Sequence, residues 1–326
     1  METRLMLEET EMKLLSPLAA KSALSAGRGV FEEKCKFRTE FQRDRDRITH
    51  CKAFRRLTHK TQVFISPEGD HYRTRLTHTL EVAQVARALA RNLRLNEDLA
   101  EAIALGHDLG HTPFGHIGEH ALNEAMPMGF AHNEQSIRTV EILEKLNLTK
   151  ETLDGILNHR SSGKPGTLEG QCVRLADKIA YINHDIDDAI RAGALSPEEL
   201  PKGPVEVLGE TGRKRIGFLI GSAVEESYGK SLVALPGPIE AAMRELRSFL
   251  FENVYDGELQ KDERTKTYRL VTELYESCLD KRNLPPEYAC LGCEIERAAG
   301  DFVAGMTDRY ALRAYSELVM PVSWRW

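Results

Sequence analysis

Four histidines and a run of turn-forming residues share one stretch of this chain, His107-Asp108-Leu109-Gly110-His111-Thr112-Pro113-Phe114-Gly115-His116-Ile117-Gly118-Glu119-His120, and a fifth, His132, follows closely. All eleven histidines of the 326 residues lie between His50 and His184. An imidazole is a metal ligand, a proton shuttle or a costly buried polar group. Crowded among carboxylates, it points to a metal-dependent catalytic site.

The candidate ligands fall on separate elements. His78 shares a helical face with Val82, Val85 and Leu89, where an imidazole loses its water and needs a replacement partner. His107 and Asp108 close the next apolar helix, so a neutral nitrogen and a hard anionic oxygen can project into one cavity. Gly110 then permits a sharp turn, and Pro113 marks a new helix start. Asp177 lies on a polar stripe with Tyr181, His184, Asp185 and Asp188, opposite an isoleucine face. Two His and two Asp from three helices form a mixed nitrogen and oxygen set suited to a divalent metal ion: Mn²⁺, Mg²⁺, Fe²⁺, Ni²⁺ or Zn²⁺.

The elements that must position these groups read as helices almost throughout. Apolar residues recur at i, i+3, i+4 and i+7 over 76–95, 99–109, 133–146, 172–191, 215–228, 239–251, 261–280 and 298–318, and 153–158 is a short helix. Pro197, Pro201, Pro204 and several glycines break the pattern over 193–212. Strand alternation is weak apart from a hairpin expected around Thr61 to Arg73. The expected fold is all-α: an N-terminal segment (1–40), a catalytic core (41–192) and a C-terminal helical region (193–326) completing the same globule.

Composition narrows the class. A chain with 41% hydrophobic and 29% charged residues is an ordinary soluble one. No signal-peptide stretch opens it and no run of about eighteen apolar residues occurs, so a cytoplasmic protein without a membrane span is expected. A net charge of −6 and a pI of about 6.0 argue against a protein-wide field for nucleic acid. A basic run, Arg43, Arg45, Arg47, Lys52, Arg55, Arg56, His59 and Lys60, reads as a solvated face or a phosphate-binding wall. Cys290-Leu291-Gly292-Cys293 has no second pair, and two partly buried thiols are expected there. Gly229-Lys230-Ser231 is no phosphate loop, because Val224 stands where its first glycine should be.

The ordered set His78…His107-Asp108…Asp177 resembles the signature of the HD-domain metal-dependent phosphohydrolases. The surrounding text is more specific: Asp44-Arg45-Asp46-Arg47-Ile48, Ala53-Phe54-Arg55-Arg56-Leu57, Lys60-Thr61-Gln62-Val63-Phe64, Arg73 to Val82, the His107 to Glu119 run, His132 to Ser136, and Ala176 to Tyr181 with His184-Asp185. Over roughly residues 40 to 190 the chain resembles the deoxyguanosine triphosphate triphosphohydrolase family, as a dGTPase-like member.

The resemblance implies hydrolysis of a dNTP to deoxynucleoside and inorganic tripolyphosphate, with the metal on His78, His107, Asp108 and Asp177. It makes His116 and Glu119, spaced i, i+3, the catalytic pair, and puts His111 and His132 along the α-phosphate; His120 is structural. Arg75, Lys178 and Arg55 or Arg56 are the candidate phosphate cations, Tyr181 and Asp185 the sugar contacts, and Gln62 a weaker sugar or base contact. A homo-oligomer and a dNTP effector are further expectations. Two rivals remain: another HD phosphohydrolase cleaving monoesters or cyclic nucleotides, and a module that senses dNTPs or single-stranded nucleic acid without turnover.

Overall fold

The computed structural model describes residues 3–62, 72–255 and 258–321. Sixteen α-helices and no extended strand occur among them. The N-terminal part supplies α1 (Thr3–Leu14), α2 (Glu40–His50) and α3 (Lys52–Arg56). The site-bearing part runs through α4 (Arg75–Asn92), α5 (Glu97–Gly106), α6 (Gly115–Ala125), α7 (His132–Arg138), α8 (Lys150–Leu157) and α9 (Leu168–Arg191). The remainder is α10 (Lys202–Leu208), α11 (Gly212–Ser227), α12 (Gly237–Leu250), α13 (Glu258–Cys278), α14 (Pro286–Ala289), α15 (Ile295–Ala304) and α16 (Asp308–Val319).

Local chemistry explains the long site helices. Thr74 opens α4 with a capping box, and the side chains of Asn96 and Thr167 accept backbone N–H groups at the starts of α5 and α9. Their apolar faces meet in a core containing Val82, Leu89, Ile103, Ala176 and Ile179, to which α11 and α12 add Leu219 and Leu246. A second core joins Phe114, Leu122 and Met126 around α6 to Val271 and Leu274 of α13, Val303 of α15 and Ala311 of α16. Residues 193–321 therefore divide between both cores.

Several boundaries differ from expectation. The pattern over 298–318 is two helices, because Gly305 to Thr307 turns the chain and the Thr307 side chain accepts the Tyr310 N–H to start α16. The pattern over 133–146 is α7 followed by a wider π turn at Thr139–Leu143. The proline-rich stretch still holds α10, with Pro201 at its N-cap. Of the expected hairpin, Thr61 and Thr74 form an isolated antiparallel bridge, and residues 63–71 lie outside the described residues. Among the described residues, no helix is long and apolar enough to cross a membrane.

Candidate metal centre and proton-transfer cluster

The turn between α5 and α6 and the first turn of α6 are packed too closely to admit a side chain at either of two glycines. A Cβ on Gly110 would stand 2.1 Å from the Ser136 nitrogen, and one on Gly118 would stand 2.1 Å from the Pro113 oxygen. The Ser136 hydroxyl accepts the Gly110 N–H at 2.9 Å and lies 2.8 Å from the His107 carbonyl oxygen, tying α7 to the turn. Phe114 (φ 60) and Gly115 (φ 59) are both left-handed, a costly conformation for phenylalanine. Asp308 of α16 holds it by accepting the Phe114 N–H at 2.9 Å.

This turn delivers His107 and Asp108 to His78 of α4, and the three present ligand atoms within 4.8 Å of one another. Asp177 of α9 completes the set, its Oδ1 lying 3.2 Å from His78 Nε2 and 3.9 Å from His107 Nε2. The second ring nitrogens fix the tautomers. His107 Nδ1 donates to the Ala104 carbonyl at 2.6 Å, leaving Nε2 bare, buried and without a hydrogen-bond partner. His78 Nδ1 lies 3.3 Å from His184 Nδ1, whose Nε2 lies 2.8 Å from the Glu81 carboxylate. With His184 donating to Glu81, His78 donates to His184 and turns its own bare Nε2 toward Asp177. Burial works against charge on both carboxylates, yet the imidazoles of His78 and His107 hold Asp177 below its ordinary pKa, and His107 with Arg75 does the same for Asp108. Two bare imidazole nitrogens and two carboxylates are the donor set a divalent ion takes.

A second cluster adjoins it. His111 is buried with Nδ1 unpartnered, stacked on His132 with centroids 4.6 Å apart. Glu119 accepts the His132 backbone N–H at 3.0 Å, and both its oxygens lie 2.9 Å from His132 Nδ1. His116 Nδ1 is farther, 3.6 Å from Glu119, and its side chain is 60% exposed. Burial would raise Glu119, but His116 and His132 hold it far below the usual carboxylate range. His120 is exposed beside Glu124, away from these contacts.

The sequence reading gave no role to His159, the residue this structure adds. It sits just beyond α8, buried, with Nδ1 donating to the Ile156 carbonyl at 2.7 Å and Nε2 3.1 Å from His132 Nε2. Its ring meets that of His107 edge-on at 5.0 Å, so it links the two clusters. Burial and the adjacent His107 and His132 push its pKa down to about 3, which keeps it neutral.

The other expected contacts are less uniform. Arg75 is buried and its Nη1 donates to Asp108 Oδ2 at 2.7 Å, so it grips a candidate ligand while its Nε stays unpartnered. Gln62 is half-buried near Gly115, its Oε1 unpartnered. Asp185 is fully buried with its pKa raised well up by burial and Asp188, and burial with the nearby Asp185 raises that of Tyr181 too. Lys178 is half-buried, and burial and Arg174 lower its pKa. Arg55 is exposed, donating to the His50 carbonyl, and Arg56 lines a cleft of about 150 Å³ with Lys52 and Tyr288.

The basic run does not form one wall. Arg43 and Arg47 pair with Glu32, Arg45 pairs with Asp98, and Lys60 turns inward to the carbonyls of His111 and Ala304. Cys290 and Cys293, expected to be partly buried, are both exposed on the loop between α14 and α15.

Comparison with known proteins agrees with this geometry. Residues 75–182 match the HD domain and residues 233–317 the phosphohydrolase-associated domain. A deoxyguanosinetriphosphate triphosphohydrolase-like protein of Caldanaerobacter subterraneus is 59% identical, covering 99% of this chain and 98% of its own. One from Clostridium perfringens is 49% identical over 98% of each chain. Among solved structures, a phosphohydrolase from Bacteroides thetaiotaomicron superposes with a TM-score of 0.53 at 18% identity, covering 82% of this chain and 66% of that one, a likeness of fold.

Proposed function

The chain belongs to the deoxyguanosinetriphosphate triphosphohydrolase-like family, and from that premise we propose that it hydrolyses a dNTP at the α-phosphorus, releasing deoxynucleoside and inorganic tripolyphosphate. The observation that carries the reading is the bare, buried Nε2 of His107, which receives no protein hydrogen and faces His78, Asp108 and Asp177. Those four residues would hold a divalent ion. When bound, it supplies Lewis-acid polarisation of a phosphoryl oxygen and eases deprotonation of water.

The protein's own groups handle the rest. The oxygen of water ends on the α-phosphorus as the bond to the 5′ oxygen breaks, and that oxygen needs a proton to leave. His116 is the donor, since it is open to solvent and its Nδ1 faces the Glu119 carboxylate at 3.6 Å. His111, with an unpartnered Nδ1, is placed for the α-phosphate. His132 has both ring nitrogens engaged, so Glu119 and His159 must yield before it can reach substrate. Arg75, Lys178 and Arg55 or Arg56 supply phosphate cations, and Tyr181, Asp185 and Gln62 the sugar edge. A homo-oligomeric, cytoplasmic enzyme that also takes a dNTP effector completes the reading; light scattering and mixed-dNTP kinetics test the assembly and the effector.

The direct test incubates metal-stripped protein with each of four dNTPs and four NTPs, adding Mn²⁺ or Mg²⁺. Tripolyphosphate from dNTPs is expected. Nucleoside monophosphates as the product, or no product from any nucleotide, would overturn the reading.

A further inference from the structure

The short loop between α14 and α15 carries Cys290 and Cys293, both exposed, with Leu291 and Gly292 between them. The backbone bends sharply through Leu291, Gly292 and Cys293, and Gly292 is left-handed (φ 71). A Cβ on Gly292 would meet nothing within 4 Å, so the turn rather than packing requires the glycine. A left-handed third residue is characteristic of a four-residue turn whose outer Cα atoms lie less than about 7 Å apart. A disulfide joins Cα atoms about 4.4–6.8 Å apart, so a turn from Cys290 to Cys293 brings the two thiols into bridging range.

The two sulfurs have different surroundings. Arg138 of α7 donates from Nη2 to Cys293 Sγ at 3.5 Å, and the Arg297 guanidinium lies within electrostatic reach of the same sulfur. Arg138 is itself fixed by the fully buried Asp301, whose two oxygens accept its Nε at 2.8 and 2.7 Å. Solvent access beside guanidinium groups is the setting of reactive cysteines. Among the described residues, neither cysteine joins other His, Cys, Asp or Glu side chains in a metal-ligating group of three. The pair therefore suits thiol–disulfide chemistry better than ion binding.

We propose that Cys290 and Cys293 are an oxidisable dithiol that closes to an intramolecular disulfide, with hydrogen peroxide as the oxidant. Cys293, the sulfur facing Arg138, takes one oxygen from peroxide as the O–O bond breaks, giving a sulfenic acid and one water. The Cys290 thiol then attacks that sulfur, forming the S–S bond and expelling the oxygen as a second water. Two thiols lose two hydrogens and two electrons, and one peroxide becomes two waters. Leu291 and Tyr288 line the cleft of about 150 Å³ together with Gln135 and Asp301, so the bond stiffens the rim of that cleft. This site is independent of the nucleotide reading.

The test treats reduced, desalted full-length protein with hydrogen peroxide, alkylates the remaining thiols and digests with trypsin, which releases both cysteines on the peptide 283–297. Expected is that peptide unalkylated and two hydrogens lighter, returned to the dithiol by dithiothreitol, while the buried Cys51, Cys172 and Cys278 stay reduced. In Cys290→Ser no bridge forms, and dimedone should label the sulfenic acid at Cys293. Full alkylation of both cysteines after excess peroxide, a bridge to Cys35 or to a second chain, or a sulfonic acid at Cys293 in the wild type overturns the proposal.

Discussion

Asp308 accepts the backbone N–H of Phe114 at 2.9 Å across 194 residues of sequence, while its other oxygen takes the N–H of Thr61 at 2.9 Å. One carboxylate from the last helix thus fixes the left-handed entry to α6 and the strand-like edge at Thr61. Asp308→Ala leaves two buried backbone donors and the Thr61 hydroxyl without this acceptor and is expected to cost about 1–3 kcal/mol, read from urea denaturation. Turnover should fall with it, because α6 carries His116 and Glu119. A midpoint equal to that of the wild type would show that the caps are dispensable.

The four proposed metal ligands should act as a unit. Asp177→Ala is expected to abolish turnover and Mn²⁺ binding at that cluster together, the latter read by calorimetry. A fully active variant would remove the metal assignment.

His184 meets the cluster through His78, their Nδ1 atoms 3.3 Å apart. Its replacement by alanine frees the His78 ring to rotate, and metal affinity should weaken by about 10–100-fold, the usual scale for such supporting partners. Unchanged affinity would make the Glu81–His184–His78 chain a packing feature only.

His116→Ala should bind Mn²⁺ normally and lose roughly 10² or more in kcat, the scale of a missing acid or base. Undiminished kcat would move the acid role to His111 or His132.

Glu169 gives a pH signature away from the site. It is buried, accepts the N–H groups of Ala20 and Asn96, and burial raises its pKa from 4.5 to about 7. A raised carboxyl pKa means the folded state holds the proton more tightly than the unfolded one. Its contribution is therefore fully present below pH 4.5, is lost as pH rises to about 7, and is constant above that. The loss is at most about 3 kcal/mol. The difference in stability between wild type and Glu169→Gln should follow that slope; a pH-independent difference would place the group in an ordinary environment.

Much of this was legible beforehand, for physical reasons. His78 stood out as an imidazole on an otherwise apolar helical face, His107 and Asp108 as an adjacent pair closing an apolar helix, and Asp177 as a carboxylate on a polar stripe, and the structure brings all four together. The long helices α4, α5 and α9 were visible in their periodicity. His159 was not, because it follows a helix of only eight residues and its partners lie on α5 and α7, far off in sequence. Lys60 misled for a related reason. A lysine in a basic run reads as solvent-facing, and nothing local signals that two carbonyls from distant segments receive it. The break at Gly305 to Thr307 was hidden because apolar spacing continues across it.

The two hydrophobic cores have a consequence for how the protein can fail. His78, His107 and Asp177 ride on helices of the first core, whereas His116 and Glu119 ride on α6, which is seated in the second against α13, α15 and α16. Damage confined to the far end of the chain would therefore leave the proposed ion site in place while the proposed proton donor drifts out of register. Such lesions would look like active-site mutations in an assay while lying tens of residues from any group that meets the substrate.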